Sequence, residues 1–206
     1  MQLQITPEQV FYWGASILCL IALGCGLYFR FSVGEEFAWT LWIDRDLYRA
    51  VNLATEFQVT GAEMHQGGRT PGGFFYYLLW LITRFGESPT FVYRFMTGME
   101  ILSLFIFAYS IKIITDYWHA LIAVGFYSIC VMRDGVFDSL WNPSFIPLFA
   151  SMIFYFSIRV LCFGQYQSLP WIALFAALGA QIHLSLLYPL IITIAFCFIY
   201  KKIKEI

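Results

Sequence analysis

The sequence contains few charged residues, and this shortage limits what the protein can bind. Only 12% of its 206 residues are Asp, Glu, Lys or Arg, whereas 60% are hydrophobic, and the formal net charge is −1. A nucleic-acid partner would require a concentrated basic face, so that class of partner is excluded. The five cysteines stand in apolar runs without C-x-x-C spacing, so neither a zinc site nor a redox site is predicted.

Long apolar runs make up most of the chain. The first begins at Val10 and exceeds the roughly 18 apolar residues that mark a bilayer-spanning helix. No Lys or Arg precedes it, which favours a retained span over a cleaved signal peptide. The apolar segments lie at about residues 10–32, 91–115, 117–132, 144–163, 169–183 and 186–200. This pattern predicts an all-α fold, a polytopic transmembrane helical bundle that forms a single domain over residues 1–206.

A seventh apolar segment, residues 72–85, bears on the topology. Its roughly 14 residues fall short of the roughly 20 that cross a bilayer as a helix, and its aromatic start suits a membrane interface. If it lies along the membrane surface and the N-terminus is cytoplasmic, five basic residues fall on the cytoplasmic side. They are Lys112, Arg159, Lys201, Lys202 and Lys204. We therefore expect about six spans, cytoplasmic termini, and juxtamembrane helices in an outer loop at about 33–90.

The outer loop contains a polar insert at residues 44–70. Its acidic residues are Asp44, Asp46, Glu56 and Glu63, and it also contains His65 and Arg69. The expected topology also places seven of the arginines outside, which departs from the positive-inside rule. The departure is explained if these arginines contact an anionic ligand or lipid phosphate. We expect the insert and the aromatic run after it to bind a polar, charged substrate, with His65, Arg69 and Tyr76 as contacts.

Asp44 and Asp46 open a stretch that is typical of an amphipathic helix, with Leu47, Val51 and Ala54 at helical spacing. Carboxylates are favoured at a helix N-terminus, so helix capping explains the pair without any chemistry. Alternatively, one carboxylate acts as a general base on an acceptor hydroxyl, or the pair helps to hold a divalent cation. Both interpretations stay open, and no residue is assigned as a metal ligand.

A second polar loop, residues 133–143, joins two apolar segments. It contains Arg133, Asp134 and Asp138, together with an Asn-Pro pair that commonly starts a helix. These charges are either solvated residues at the ends of spans or the second half of a site that faces the first loop. The expected topology puts this loop on the outer face.

A third polar stretch interrupts the last long apolar region at residues 181–185. Its polar side chains are Gln181, His183 and Ser185. Ionisable residues within a membrane usually face a cavity or a partner because burying an unpaired polar group costs free energy. Gln181 and His183 are therefore candidate substrate contacts on the outer face, and a packed, hydrogen-bonded histidine is the alternative.

The order of these features resembles the GT-C fold class of membrane glycosyltransferases that use polyprenyl-phosphate sugars, particularly the bacterial relatives of protein mannosyltransferase and lipid A aminoarabinose transferase. The matching stretches are 44–50, 67–79, 85–89, 133–143 and 181–185. Members of this family usually continue with further spans and often a soluble outer domain, so the resemblance is to their N-terminal module. It implies a fragment, a split enzyme that needs a second protein chain, or a remnant that kept the fold.

The resemblance also implies roles for particular residues. In such enzymes an aspartate of the first outer loop lies at the catalytic site, and an aspartate of a second outer loop assists. The matching positions are Asp44 or Asp46 in the first loop and Asp134 or Asp138 in the second. Arg69 or Arg133 would stabilise the lipid phosphate leaving group while a carboxylate deprotonates the acceptor in an inverting displacement.

The implied partners are a polyprenyl-phosphate-linked sugar and membrane lipid, and the implied location is a bacterial inner membrane. No cofactor is assigned beyond the divalent cation that paired aspartates could hold. Two other classes of function compete with the glycosyltransferase. One is a non-catalytic membrane subunit whose aromatic surface packs within a larger complex, and the other is a small transporter for lipid-linked sugars. Internal symmetry, which would favour transport, is not visible in the sequence.

Overall fold

The computed structural model describes residues 6–33, 41–55, 57–63, 68–133 and 142–204, and most of these residues are helical. The α-helices are α1 (Pro7–Val33), α2 (Leu41–Val51), α3 (Phe74–Thr83), α4 (Pro89–Lys112), α5 (Tyr117–Arg133), α6 (Ile146–Leu161), α7 (Leu169–Ile182) and α8 (Leu187–Lys204). Single 3₁₀ turns lie at Asn52–Ala54, Asn142–Phe145, Tyr166–Ser168 and Leu184–Leu186. The helical class expected from the sequence is therefore observed.

A short β-hairpin departs from the all-α expectation. Its antiparallel strands are β1 (Thr60–Glu63) and β2 (Arg69–Pro71), and Glu63 pairs with Arg69 in the register. The segment is polar and rich in glycine and threonine, and it shows no alternation of apolar residues that would mark a strand. Its strands instead gain stability by packing on the ends of helices, as described below.

Three of the described helices are long and apolar enough to cross a membrane. They cover Glu8–Tyr28, Pro89–Lys112 and Pro143–Leu161. The start of α4 is well defined, because Pro89 occupies its first turn and the Ser88 hydroxyl accepts a hydrogen bond from the Phe91 amide at 3.2 Å. The shorter α7 ends after 14 residues, at the polar break that the sequence shows. Length and composition thus support a membrane protein with three such helices.

The long helices pack in the order α1, α5, α4 and α6, and α6 also contacts α7 and α8. Helices α1 and α5 run parallel, because Tyr12 lies against Trp118 and Cys19 lies against Gly125. Helices α4 and α6 also run parallel, since the ring of Phe107 lies 5.5 Å from that of Phe154 and Tyr109 lies beside Tyr155.

The elements between α1 and α4 form a cap at one end of this bundle, and we define the cap as α2, the hairpin and α3. Helix α3 buries Phe75, Tyr76, Leu79 and Ile82, and the Phe75 ring lies 6.2 Å from that of Phe145, just before α6. The end of α7 contacts both strands of the hairpin. Because α4 and α6 are parallel, α4 also begins at this end. Both ends of α3 therefore lie at the capped end of the bundle.

Candidate functional site

A buried carboxylate lies at the centre of the cap. Asp46, on α2, is only 1% exposed. Its Oδ1 atom accepts hydrogen bonds from Arg45 Nε at 2.9 Å and from the Tyr76 hydroxyl at 3.0 Å, and Arg45 Nη2 lies 2.8 Å from the same oxygen. Its Oδ2 atom is also buried but has no hydrogen-bond partner among the described residues. The two oxygens of one carboxylate are thus in very different surroundings.

The direction of the hydrogen bond between Tyr76 and Asp46 follows from a third residue. Arg49 Nη1 lies 3.2 Å from the Tyr76 hydroxyl oxygen. A guanidinium group only donates hydrogen bonds, so the Tyr76 oxygen accepts from Arg49 and its own proton points to Asp46. Oδ1 therefore receives donors from both Arg45 and Tyr76. A further proton on this carboxyl would go to Oδ2.

Glu63, at the end of β1, joins three arginines. Its Oε2 atom lies 2.7 Å from Arg45 Nη1, and its Oε1 atom lies 3.3 Å from both Arg49 Nη2 and Arg69 Nη2. Arg45 and Arg49 are four residues apart on α2 and so share one face of the helix. Arg69 reaches Glu63 because the two residues are paired in the hairpin. We call Arg45, Arg49, Arg69 and Glu63 the arginine cluster.

The electrostatics of the cap differ between its two carboxylates. Burial raises the pKa of Asp46, and the neighbouring Arg45 and Tyr76 oppose that rise. Desolvation alone would raise the pKa of Glu63. Arg45, Arg49 and Arg69 have the larger combined effect, so the pKa of Glu63 is lowered. The five side chains that contact one another, Arg45, Arg49, Arg69, Asp46 and Glu63, carry one excess positive charge, or two when Asp46 is protonated, and Asp44 on α2 adds one negative charge to the cap. The arginine cluster can attract an anion, and Asp46 can accept a proton.

Glycine residues allow the hairpin to lie against the end of α7. Gly72 has φ +77°, and a Cβ atom there would overlap the side chain of Gln181. A Cβ atom on Gly61 would overlap Thr70 and the backbone of Gly72. The Gly72 and Gln181 contact therefore fixes the hairpin, and with it Glu63 and Arg69, on the bundle.

The remaining candidates of the 181–185 break make local contacts. His183 Nδ1 lies 2.8 Å from the Ser185 hydroxyl oxygen and also accepts a hydrogen bond from the Ser185 amide at 3.3 Å. The imidazole thereby caps the 3₁₀ turn Leu184–Leu186. No hydrogen bond joins His183 to Asp46 or to the arginine cluster within the described residues. The structure thus brings Gln181 to the cap and leaves His183 in its own turn.

The other predicted site residues are placed less completely. Asp44 lies in α2, two residues before Asp46, and Arg133 is the last residue of α5. His65, Asp134 and Asp138 lie outside the described residues. In the described part of the chain, no group of three His, Cys, Asp or Glu side chains could hold a metal ion.

Arg45, Arg49 and Glu63 have no individual role predicted from the sequence. The spacing of the two arginines on an amphipathic helix was the available signal, because residues i and i+4 share a face. The role of Glu63 had no such signal, since it depends on the hairpin that pairs it with Arg69. Arg69 and Tyr76, the predicted substrate contacts, contact Glu63 and Asp46 respectively.

The fold and the site together define a helical protein that has three described helices long and apolar enough to cross a membrane, and a cap that combines arginines and a buried carboxylate. Comparison with known protein-family models, curated protein sequences and solved structures finds no match.

Proposed function

We propose that this protein is an inverting membrane glycosyltransferase that moves a sugar from a polyprenyl phosphate to an acceptor hydroxyl. The observation that carries the proposal is the asymmetry of Asp46 beside the arginine cluster. One of its oxygens is held by Arg45 and Tyr76, and the other has no hydrogen-bond partner among the described residues. A base with a fixed orientation next to an excess of positive charge suits an acceptor and a phosphate leaving group.

Asp46 is the proposed general base. Burial raises its pKa, so its carboxylate binds a proton more strongly than an exposed aspartate does. In the proposed step the acceptor oxygen forms a bond to the anomeric carbon as the bond from that carbon to the phosphate oxygen breaks. The acceptor proton goes to Oδ2, and the electron pair of the broken bond stays on the polyprenyl phosphate.

The arginine cluster is the proposed phosphate site. Arg69 is the most exposed of the three arginines, with 38% of its side chain accessible, and Arg45 and Arg49 lie deeper. Glu63 holds the three guanidinium groups together, so their positions are set before a ligand arrives. Arginine suits this task because its planar group binds phosphate oxygens in pairs and stays charged.

The proposal includes a topology of about six spans with both termini in the cytoplasm of a bacterial cell. Two features support it. Both ends of α3 lie at the capped end, which agrees with a helix along the surface. Lys112 and Arg159 are in the last turns of α4 and α6, at the opposite end, where the positive-inside rule would put them. The cap would then face outward from the inner membrane.

A donor-consumption assay tests the glycosyltransferase. Membranes that contain the protein are supplied with a panel of radiolabelled polyprenyl-phosphate hexoses, and released polyprenyl phosphate is measured. We expect Asp46→Asn to reduce release about 10²- to 10⁴-fold, the usual contribution of a general base. The matched control is Asp116→Asn, because Asp116 is an exposed N-terminal cap of α5 at the other end of the bundle. Equal release by wild type and Asp46→Asn would contradict the assignment.

The full burial of Asp46 favours a second candidate, a non-catalytic membrane subunit. In that case the ion pairs of the cap would serve only to hold α2, the hairpin and α3 together. Removing one partner of a buried ion pair is destabilising because the other charge loses its counter-ion, so Asp46→Asn would lower the stability of the cap. The two candidates separate in the same assay, because a subunit releases no polyprenyl phosphate from any donor and co-purifies with a second chain in mild detergent.

A further inference from the structure

A groove in the membrane region lies away from the cap. It is bounded by α1, α4 and α5, is open on one side and has a volume of about 400 Å³. Leu23 and Leu27 line it from α1, Leu104 and Ala108 from α4, and Val124 from α5. These helices are neighbours but leave a gap between them, and this gap is the apolar groove, which is open to the surroundings.

The length of the groove matches one leaflet of a membrane. Its lining on α4 extends from Ile101 to Lys112. At 1.5 Å per residue these eleven steps span about 16 Å. That is about half of the ~30 Å hydrocarbon thickness of a bilayer. The groove therefore begins at one membrane surface and ends near the middle.

The groove is also polar at only one end. Among the described residues that line it, Lys112 is the one that carries a charge, and it lies in the last turn of α4. Its Nζ atom lies 4.2 Å from the centre of the Tyr117 ring, which is typical of a cation–π contact. The apolar part of the groove matches the acyl chain of a lipid, and the ammonium group and tyrosine at its end match the polar headgroup.

We infer that this groove binds an anionic phospholipid of the leaflet opposite the cap, with one acyl chain along α4 and the phosphate at Lys112. The groove is apolar along its length and carries its charged residue, Lys112, at one end, which is the arrangement of an acyl chain below a phosphate. Lys112 is the charged residue among the described residues that line the groove, and its ammonium group favours an anionic headgroup over a zwitterionic one. The inference is independent of the glycosyltransferase proposal, because the groove and the cap lie at different ends of α4.

Native mass spectrometry of the purified full chain tests the headgroup. Phosphatidylglycerol and phosphatidylcholine with the same acyl chains are added in turn, and the fraction of lipid-bound protein is measured. We expect phosphatidylglycerol to bind about fivefold more tightly, the effect of one basic side chain at a membrane surface. Lys112→Gln should remove this difference. The matched control is Arg159→Gln, because Arg159 lies over the Tyr155 ring at the same end of the bundle but does not line the groove.

A second variant tests the acyl chain. Ala108→Phe places a ring in the groove and should weaken the binding of both lipids, whereas Lys112→Gln should change only the preference between them. Equal binding of the two lipids by wild type would overturn the inference. So would an equal effect of Arg159→Gln and Lys112→Gln, or a lipid-free dimer that Ala108→Phe dissociates, since a second copy of the chain would then occupy the groove.

Discussion

The Tyr76 hydroxyl donates its proton to Oδ1 of Asp46 at 3.0 Å, and both side chains are buried. The direction is fixed because Arg49 donates to the same hydroxyl oxygen. This pair links α3 to α2, and it leaves Oδ2 as the atom that can take a proton. Tyr76 therefore sets both the position of the carboxylate and the oxygen that would take a proton.

Replacing Tyr76 with Phe should raise the pKa of Asp46 further. The substitution keeps the ring but removes a hydrogen bond that favours the ionised carboxylate, while burial continues to favour the protonated form. We also expect a loss of about 1–3 kcal/mol in the free energy of unfolding, because Arg49 loses an acceptor. The pKa is measured by a pH titration of the infrared carbonyl band of protonated Asp46, which is assigned by its absence in Asp46→Asn.

Tyr77→Phe is the matched control for that experiment. The Tyr77 hydroxyl is the next one along α3, and it has no hydrogen-bond partner among the described residues. Its removal should leave the Asp46 titration unchanged and have little effect on stability. If Tyr77→Phe moved the Asp46 titration as far as Tyr76→Phe does, the specific link between Tyr76 and Asp46 would be disproved.

Glu63→Gln should destabilise the protein at neutral pH and have no effect in acid. The pKa of Glu63 is lowered in the folded protein because three arginines favour its ionised form. The stability that this form contributes is present above the unfolded pKa of about 4.3 and is lost as the pH falls through the lower folded pKa. Thermal unfolding from pH 3 to pH 7, followed by tryptophan fluorescence in detergent, should show the two proteins converging below about pH 4.3.

Glu87→Gln provides the comparison for that series. Glu87 is exposed just before α4 and forms no ion pair with the described residues. Its substitution should change the unfolding temperature little at any pH. A constant difference between wild type and Glu63→Gln across the whole range would mean that Glu63 does not act through its charge.

Much of the helical framework could be predicted from the sequence, whereas the contacts of the site could not. Apolar length alone located α4 within two or three residues and marked 72–85 as too short for a span, where α3 (Phe74–Thr83) is found. The choice between Asp44 and Asp46 stayed open because the family pattern fits both residues, which lie two positions apart in α2. Burial of Asp46 depends on α3, which lies about 30 residues further along the chain.

The hairpin was missed for a related physical reason. Its strands have three and four residues, and no apolar alternation distinguishes them from a loop. They are held by Glu63 with Arg69 and by packing on Gln181, which are long-range contacts that a local pattern does not encode. Gly72 can be read from the sequence, but the reason for a glycine there is a long-range contact. The side chain of Gln181 occupies the space that a Cβ atom would fill.

Gly72→Ala should destabilise the cap by about 1–3 kcal/mol. A side chain at φ +77° is strained, and the new Cβ atom would also overlap Gln181. Gly164→Ala separates these two effects, because Gly164 has φ +65° but nothing within 4 Å of the position of its Cβ atom. We expect Gly72→Ala to lower the unfolding temperature more than Gly164→Ala does.

A double-mutant cycle completes that comparison. Gln181→Ala removes the atoms that the new Cβ would meet, so it should restore part of the stability that Gly72→Ala loses. Additive losses in the double variant would show that the hairpin and α7 do not touch at this point. The measurement is thermal unfolding of the four proteins under one set of conditions.

Cysteine labelling decides whether α3 crosses the membrane. In a background without native cysteines, single cysteines replace Phe57 in the cap and Tyr166 between α6 and α7, which are 75% and 66% exposed. If α3 lies along the surface, an odd number of crossings separates the two positions. An impermeant maleimide added to intact cells should then label Phe57→Cys, while Tyr166→Cys should react only after the membrane is opened. If α3 crossed, the count would be even, and both positions would react from the same side. Labelling of both in intact cells would therefore overturn the six-span topology and the outward orientation of the cap that depends on it.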